Sequence, residues 1–373
     1  MTRSLLLISV LVLAGCAQAQ APERALPGFA TNTAKRTIDL AEFRAGGPPK
    51  DGIPALDAPR FVSAEDASGW LDDREPVILL RVGGEAKVYP LQILTWHEIV
   101  NDTLGGAPVA VTFCPLCYSA VAIDRRVETE DGTRTLDFGV SGLLRFSDMV
   151  MYDRQTETLW QQYTGEALVG DLVGTTLTIL PAQITSFAQA REDSPEAPVL
   201  SRETGYDRRY GENPYVGYDD VANTPFLYDG PEDGRLAPMT RVVAVEVDEA
   251  FRAYPAGATR QRVVINDEIG DSPVVVIHTG GATTALGAAE IARAREVGTT
   301  GVFRRTLADG RTLTFEVEDG VVRDAETGSM WSVTGEATGG PLAGMRLEPV
   351  LHHDTFAFAW FAFRPETTVW EEE

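Results

Sequence analysis

The feature that most constrains this chain is that it repeats itself. "VYPLQILTWHEIVNDTLGGAPVAVTF", residues 88–113, lines up without a gap on "AYPAGATRQRVVINDEIGDSPVVVIH", residues 253–278. Tyr89-Pro90 falls on Tyr254-Pro255, and Asn101-Asp102 on Asn266-Asp267. The match resumes with "DRQTETLW" over "DAETGSMW" and "TGEALVGDLVGTTL" over "TGEATGGPLAGMRL". Self-similarity of this kind requires both stretches to close on one scaffold. We therefore expect an internal duplication, with a first half at 61–200, a second at 239–373 and a Tyr-, Pro-, Gly- and Asp-rich linker at 201–238. Asn-Asp ahead of a strand and Asp-x-x-Thr ahead of a Trp read as turn and cap chemistry, and their recurrence favours a structural role.

Within the first half, short runs of Val, Ile, Leu, Tyr and Phe alternate with Gly and Asp. "PVILLRVGGEAKVYP" reads as a strand, a tight Gly-Gly turn and a strand. "APVAVTF", "SAVAIDRRV", "RTLDFGVSG", "DMVMYDR" and "TTLTILP" are further strand candidates, whereas "PLQILTWHEIVND" and "GAAEIARAREVG" carry helical character. The expected class is β-rich, between all-β and α+β, with few short helices.

The chain opens with "MTRSLLLISVLVLAGC": one positive charge, an apolar run too short to span a bilayer, then small residues. Leu13, Ala14, Gly15 and Cys16 resemble a bacterial lipobox, which makes residues 1–16 a signal peptide and Cys16 the lipid-bearing first residue of the mature chain. The other reading is a plain secretory signal cleaved near "AQAQA". A lipidated Cys16 implies a membrane anchor on the periplasmic side of the envelope, and Ala17 after it favours the outer membrane by analogy with Gram-negative lipoproteins. Residues 17–60, poor in large apolar side chains, read as a tether.

Without Arg3, 31 of the 32 basic residues remain against 55 acidic ones. Nucleic acid and bare anionic membrane are excluded as partners on that balance, and no protein partner is legible. Roughly 350 mature residues suffice for two domains with cores of their own.

The repeat also isolates what is not repeated. Cys114 falls on Thr279, Cys117 on Ala282 and His97 on Arg262, so thiol chemistry belongs to the first half alone. Of three cysteines, two remain after Cys16, both in "VTFCPLCYSA". A structural clip there closes a loop of about four residues and contributes roughly 2 kcal/mol, against about 3 for a loop of about 15. A redox pair would place Cys114 at the cap of a helical turn begun by Pro115, with Cys117 resolving the mixed disulfide. No thioredoxin-like alternation of strands and helices surrounds it. A metal site would use both thiolates as half of a copper or zinc centre and recruit further ligands. His97 is the best-placed candidate, with His352 or His353 more remote; His278 aligns one position away from Cys114 and points to the opposite face. Tyr118, Trp96, Trp160 and Gln161 are candidate lining residues, although Trp160 matches Trp331 and so belongs with the scaffold. "GVSGLL" lacks the last Gly of a nucleophile elbow, and "TGGATTALG" is no phosphate loop.

"TWHEIVND", "VTFCPLCYSA", "DFGVSGLLRFSDMVMYDRQTETLWQQYTGEALVG" and "TGYDRRYGENPYVGY" together resemble the bacterial and archaeal family DUF3179, densely over about residues 75–230 and loosely beyond. The resemblance implies a common fold and export in many members, and no established activity. It further implies cysteine at the position of Cys114 and, in some members, threonine at that of Cys117. The function expected is an exported lipoprotein with a thiolate metal site. The alternatives are a thiol-disulfide redox protein, with Cys114 and Cys117 as the catalytic pair, and a non-catalytic envelope module.

Overall fold

A computed structural model describes Leu26 and residues 28–372. The signal segment 1–16 with Cys16, and residues 17–25, lie outside the described residues. Among the described residues the fold is β-rich, with five α-helices of at most seven residues.

In the first half, Pro76–Val82 and Glu85–Pro90 form a hairpin across Gly83 and Gly84, both at positive φ, as the Gly-Gly turn requires. Helix Leu91–His97 follows, then the meander Ile99–Leu104, Ala107–Cys114, Ser119–Asp124. Strand Ala182–Ser186 returns to the other edge of Pro76–Val82, and Val199 pairs in parallel with Val88. A third sheet runs Arg44–Ala45, Phe138–Arg145, Asp148–Asp153, Leu159–Gln161, Ala167–Val169.

The same order of elements occurs again. Arg241–Val247 and Ala250–Pro255 are followed by helix Ala256–Arg262 and the meander Val264–Ile269, Ser272–Thr279, Thr299–Arg304. Leu351–Phe356 returns to Arg241–Val247, and Thr368–Val369 pairs in parallel with Arg252 and Ala253.

The recurring residues explain themselves. The Asn101 side chain donates to Phe138 O (2.8 Å) and accepts from Phe138 N (2.9 Å), pinning one sheet to the next; Asn266 does the same to Phe315 (2.7 and 2.9 Å). Tyr89 donates to Asp102 (2.8 Å) and Tyr254 to Asp267 (2.6 Å). Asp153 and Asp324 each accept from a Trp indole, Trp160 and Trp331, and cap the turn between. Asn-Asp thus lies within a strand rather than in a turn, and its role is structural all the same.

Two expectations are corrected. The tether up to residue 60 is laid on the body from residue 28 onward: Thr37 N bonds Leu168 O, Asp51 N bonds Val140 O, and Leu56 bridges to Ile99 and Asn101. Phe43 and Leu56, two of its few large apolar side chains, are buried. The helix expected at "GAAEIARAREVG" reduces to the single 3-10 turn Ile291–Arg293, because its backbone bonds elsewhere, Ala289 O to Asn213 N and Arg295 O to Thr284 N. In the segment 201–238, Tyr215 and Tyr218 pack on the main core and Asp219 is buried. That core draws on both halves, from Ile78 and Phe113 to Val242, Phe356 and Trp360.

Removing one Asn clamp strands a backbone N–H and C=O at a sheet junction. Asn101→Ala is expected to cost about 2–4 kcal/mol, and Asn266→Ala less, because Asn101 is more buried and also holds Asp57 at 2.7 Å. Urea unfolding should show lowered midpoints at unchanged m; an unshifted midpoint for Asn101→Ala would remove the clamp from the account.

Candidate metal centre

Cys114 ends strand Ala107–Cys114 and pairs with Ser119, so Pro115, Leu116, Cys117 and Tyr118 form the hairpin loop itself. Tyr118 adopts φ 57° and its N–H donates to Pro115 O at 3.3 Å. The helical turn expected after Cys114 does not form, because strand pairing claims both flanks of the loop. No helix terminus therefore activates the Cys114 thiol. The loop is held from the second half instead. Cys117 O accepts from Thr355 Oγ1 (2.9 Å) and from Phe356 N (3.1 Å). The Tyr118 hydroxyl accepts from Ala285 N at 3.0 Å, and its ring carries the Arg241 guanidinium at 4.1 Å.

Opposite the loop, Phe146 and Ser147 make a two-residue hairpin turn, both at positive φ, between Arg145 and Asp148. Asp148 is fully buried at the start of the returning strand. The two sulfurs of Cys114 and Cys117 and a carboxylate oxygen of Asp148 all lie within 4.8 Å of one another. Asp148 Oδ2 accepts from Gln161 Nε2 (2.6 Å) and Tyr163 N (3.2 Å), whereas Oδ1 has no hydrogen-bond partner. Both cysteines are buried and free, with no disulfide between them.

Desolvation dominates the electrostatics. Burial pushes Asp148 up to about 7 although Gln161 and Tyr163 N pull it down. Burial, then Cys114 and Asp148, raises the Cys117 thiol well above its ordinary value. Glu98 is buried nearby and is pushed up to about 8, first by burial and then by the Asp148 charge. Among the described residues, neither Asp148 nor Glu98 takes part in an ion pair. Two thiols and two carboxyls thus share a dry region with no basic side chain paired to the carboxyls. Such a group is neutral with its protons on, and becomes strongly favourable for a cation once they leave.

The expected residues distribute unevenly. Cys114 and Cys117 are brought together, and Gln161 supports Asp148. His97 is not part of the group: its Nδ1 donates to Pro54 O (2.7 Å) and its Nε2 accepts from Tyr210 OH (2.6 Å), which occupies both nitrogens. His353 packs between Tyr163 and Trp360, His352 bonds Val350 O, and His278 bonds Thr300. Trp160 bonds Asp153 in the scaffold and Trp96 bonds Glu212 O, so neither lines the site; Tyr118 buttresses the loop from behind. Asp148 and Glu98 were missed. Asp148 opens the strand candidate "DMVMYDR", and its match Asp319, five residues before Asp324 as Asp148 is before Asp153, is exposed at φ 52°, so the repeat does not mark it as a donor. Glu98 matches Val263, an unrepeated acid that was open to notice.

A family model described as a protein of unknown function, DUF3179, matches residues 50–367. The chain belongs to the DUF3179 family. The match takes in the linker and most of the second half, beyond the dense resemblance at 75–230, so the DUF3179 unit includes the strand that holds Cys117. Searches of curated proteins and of solved structures found no match.

Burial predicts that the two thiols react with an aromatic disulfide reagent only after denaturation, two per chain starting at Ala17; prompt native labelling at pH 7 would contradict the site as described. The raised carboxyls set the pH dependence. Between about 4 and about 8 the folded, metal-free chain keeps protons on Asp148 and Glu98 that the unfolded chain has released. Its stability therefore falls as pH rises through that window. Asp148→Asn should flatten the fall, measured as urea midpoints from pH 4 to 8.

Proposed function

We propose that Cys114, Cys117 and Asp148 bind a zinc or copper ion. The observation that carries this reading is the convergence of two free thiols and the unpartnered Asp148 Oδ1 in a buried cluster. Two thiolates and one oxygen donor suit a borderline divalent ion, which favours zinc over the softer cuprous ion. Three protein donors leave a fourth tetrahedral position for an outside ligand. Gln161, bonded to Asp148 Oδ2, orients the carboxylate in the manner of outer-sphere partners elsewhere. Thiol-disulfide exchange fits less well, since a buried, protonated Cys117 is neither exposed nor activated.

The sequence of residues 1–16 supports an exported, lipid-anchored chain on the periplasmic side of the envelope, with Cys16 carrying the anchor. The recurring element order and the paired Asn, Tyr-Asp and Asp-Trp contacts support descent of the two halves from one duplicated unit.

The test is elemental mass spectrometry of protein starting at Ala17, purified from the periplasm without chelator. About one zinc or copper per chain is expected, lost in Cys114→Ser, reduced at least about tenfold in affinity in Asp148→Asn, and retained in His97→Ala. A metal-free parent, or a metal content insensitive to Cys114→Ser, would overturn the reading.

A further inference from the structure

A cavity of about 370 Å³ with charged side chains on its walls is bounded by helix Ala256–Arg262, the linker at Asp219 and the strands around Arg241 and Thr300. Four side chains able to carry positive charge line it: Arg241, Arg260, Arg295 and His278. Three carboxylates line it as well, and their partners decide what charge is left. Asp219 is engaged by Arg295 through bonds of 2.9 and 2.8 Å. Asp220 lies exposed and turns Oδ1 to Ala222 N at 2.9 Å. Asp354 meets Arg241 through one contact of 3.3 Å.

Arg241 is consequently under-satisfied. Its side chain is only 10 % exposed: the guanidinium lies on the Tyr118 ring at 4.1 Å with Nε and Nη1 buried and unpaired there, and Nη2 is the atom that meets Asp354. Arg260, on the exposed side of the helix, forms no hydrogen bond or ion pair with the described residues, and His278 bonds only Thr300 Oγ1, through Nδ1 at 2.9 Å. His278 is held neutral, near 4, by burial and then by Arg260 and Arg241. None of this belongs to the shared scaffold. In the gapless alignment Arg260 stands opposite Thr95 and His278 opposite Phe113, and Arg241 opposite Pro76.

We propose that this cavity binds the carboxylate or phosphate group of a small molecule, with Arg241 and Arg260 as charged contacts and His278 as a neutral hydrogen-bonding one. Planar guanidinium forks match such oxyanions, and the volume is within the range of small-molecule sites, roughly 300–1,000 Å³. The cavity is separate from the thiol centre but not remote, because the Tyr118 ring that carries Arg241 belongs to the Cys114–Ser119 hairpin.

Calorimetric titration of the full chain from Ala17 with inorganic phosphate and with succinate, at pH 7 and low ionic strength, tests it. At least one probe should bind saturably at one site per chain, and whichever binds identifies the head group. Arg260→Ala, exposed and without structural partners, should weaken that binding by roughly tenfold or more, with unchanged metal content and melting temperature. His278→Gln should weaken it less. No saturation by either probe up to about 10 mM, a dissociation constant worth under about 3 kcal/mol, or equal binding by Arg260→Ala, would overturn the proposal. The unchanged metal content keeps this outcome distinct from that of the thiol site.

Discussion

The carbonyl of Cys117 is the point on which the molecule turns. It sits in a four-residue loop with no helix or sheet partner of its own, and a buried carbonyl must be paired. Strand Leu351–Phe356 supplies both donors, Thr355 Oγ1 and Phe356 N. That strand is in turn registered along Arg241–Val247, which carries Arg241 onto the back of the same loop. The thiol loop therefore has its shape set by residues that carry no thiol. The two halves share a core for the same reason: parting them would strand the Cys117 carbonyl and uncover the Tyr118 ring.

On that joint scaffold, positions matched by the sequence alignment carry opposite characters. Asn101 and Asn266, Tyr89 and Tyr254, and Trp160 and Trp331 do the same work in both halves. Where the first half has Cys114, Cys117 and a buried Asp148, the second has Thr279, Ala282 and an exposed Asp319. Where the second has Arg260 and His278, the first has Thr95 and Phe113. The sites proposed for a cation in the first half and an anion in the second are joined by the contact of Tyr118 with Arg241.

Local pattern made the strands, the Gly-Gly hairpin and the β-rich class legible, and the repeat separated scaffold from site. What sequence did not disclose depends on distant segments. Nothing near His97 announces that Pro54 and Tyr210 occupy its ring nitrogens. Asp148 entered only as the first residue of a strand candidate, and its burial beside the thiols is set by the hairpin turn at Phe146 and Ser147, which no local pattern announces. The early segment looked like a tether because few of its side chains are apolar, yet its order comes from backbone bonds to sheet edges, which composition does not encode. Helical character at 287–298 lost to backbone partners in the linker and in the loop at 284.

The distance along the chain between the thiol loop and its clasp has a kinetic consequence. Cys117 and Thr355 are 238 residues apart. During synthesis the hairpin with both sulfurs is complete long before residue 355 exists, and closing so long a loop is slow relative to local structure. In an oxidising compartment the spacing that brings the two sulfurs together beside Asp148 also lets them join each other first. Under the proposed export and metal binding, maturation is a competition between oxidation and the docking of the final strand, in which early capture of an ion by the open hairpin would act as the protecting group.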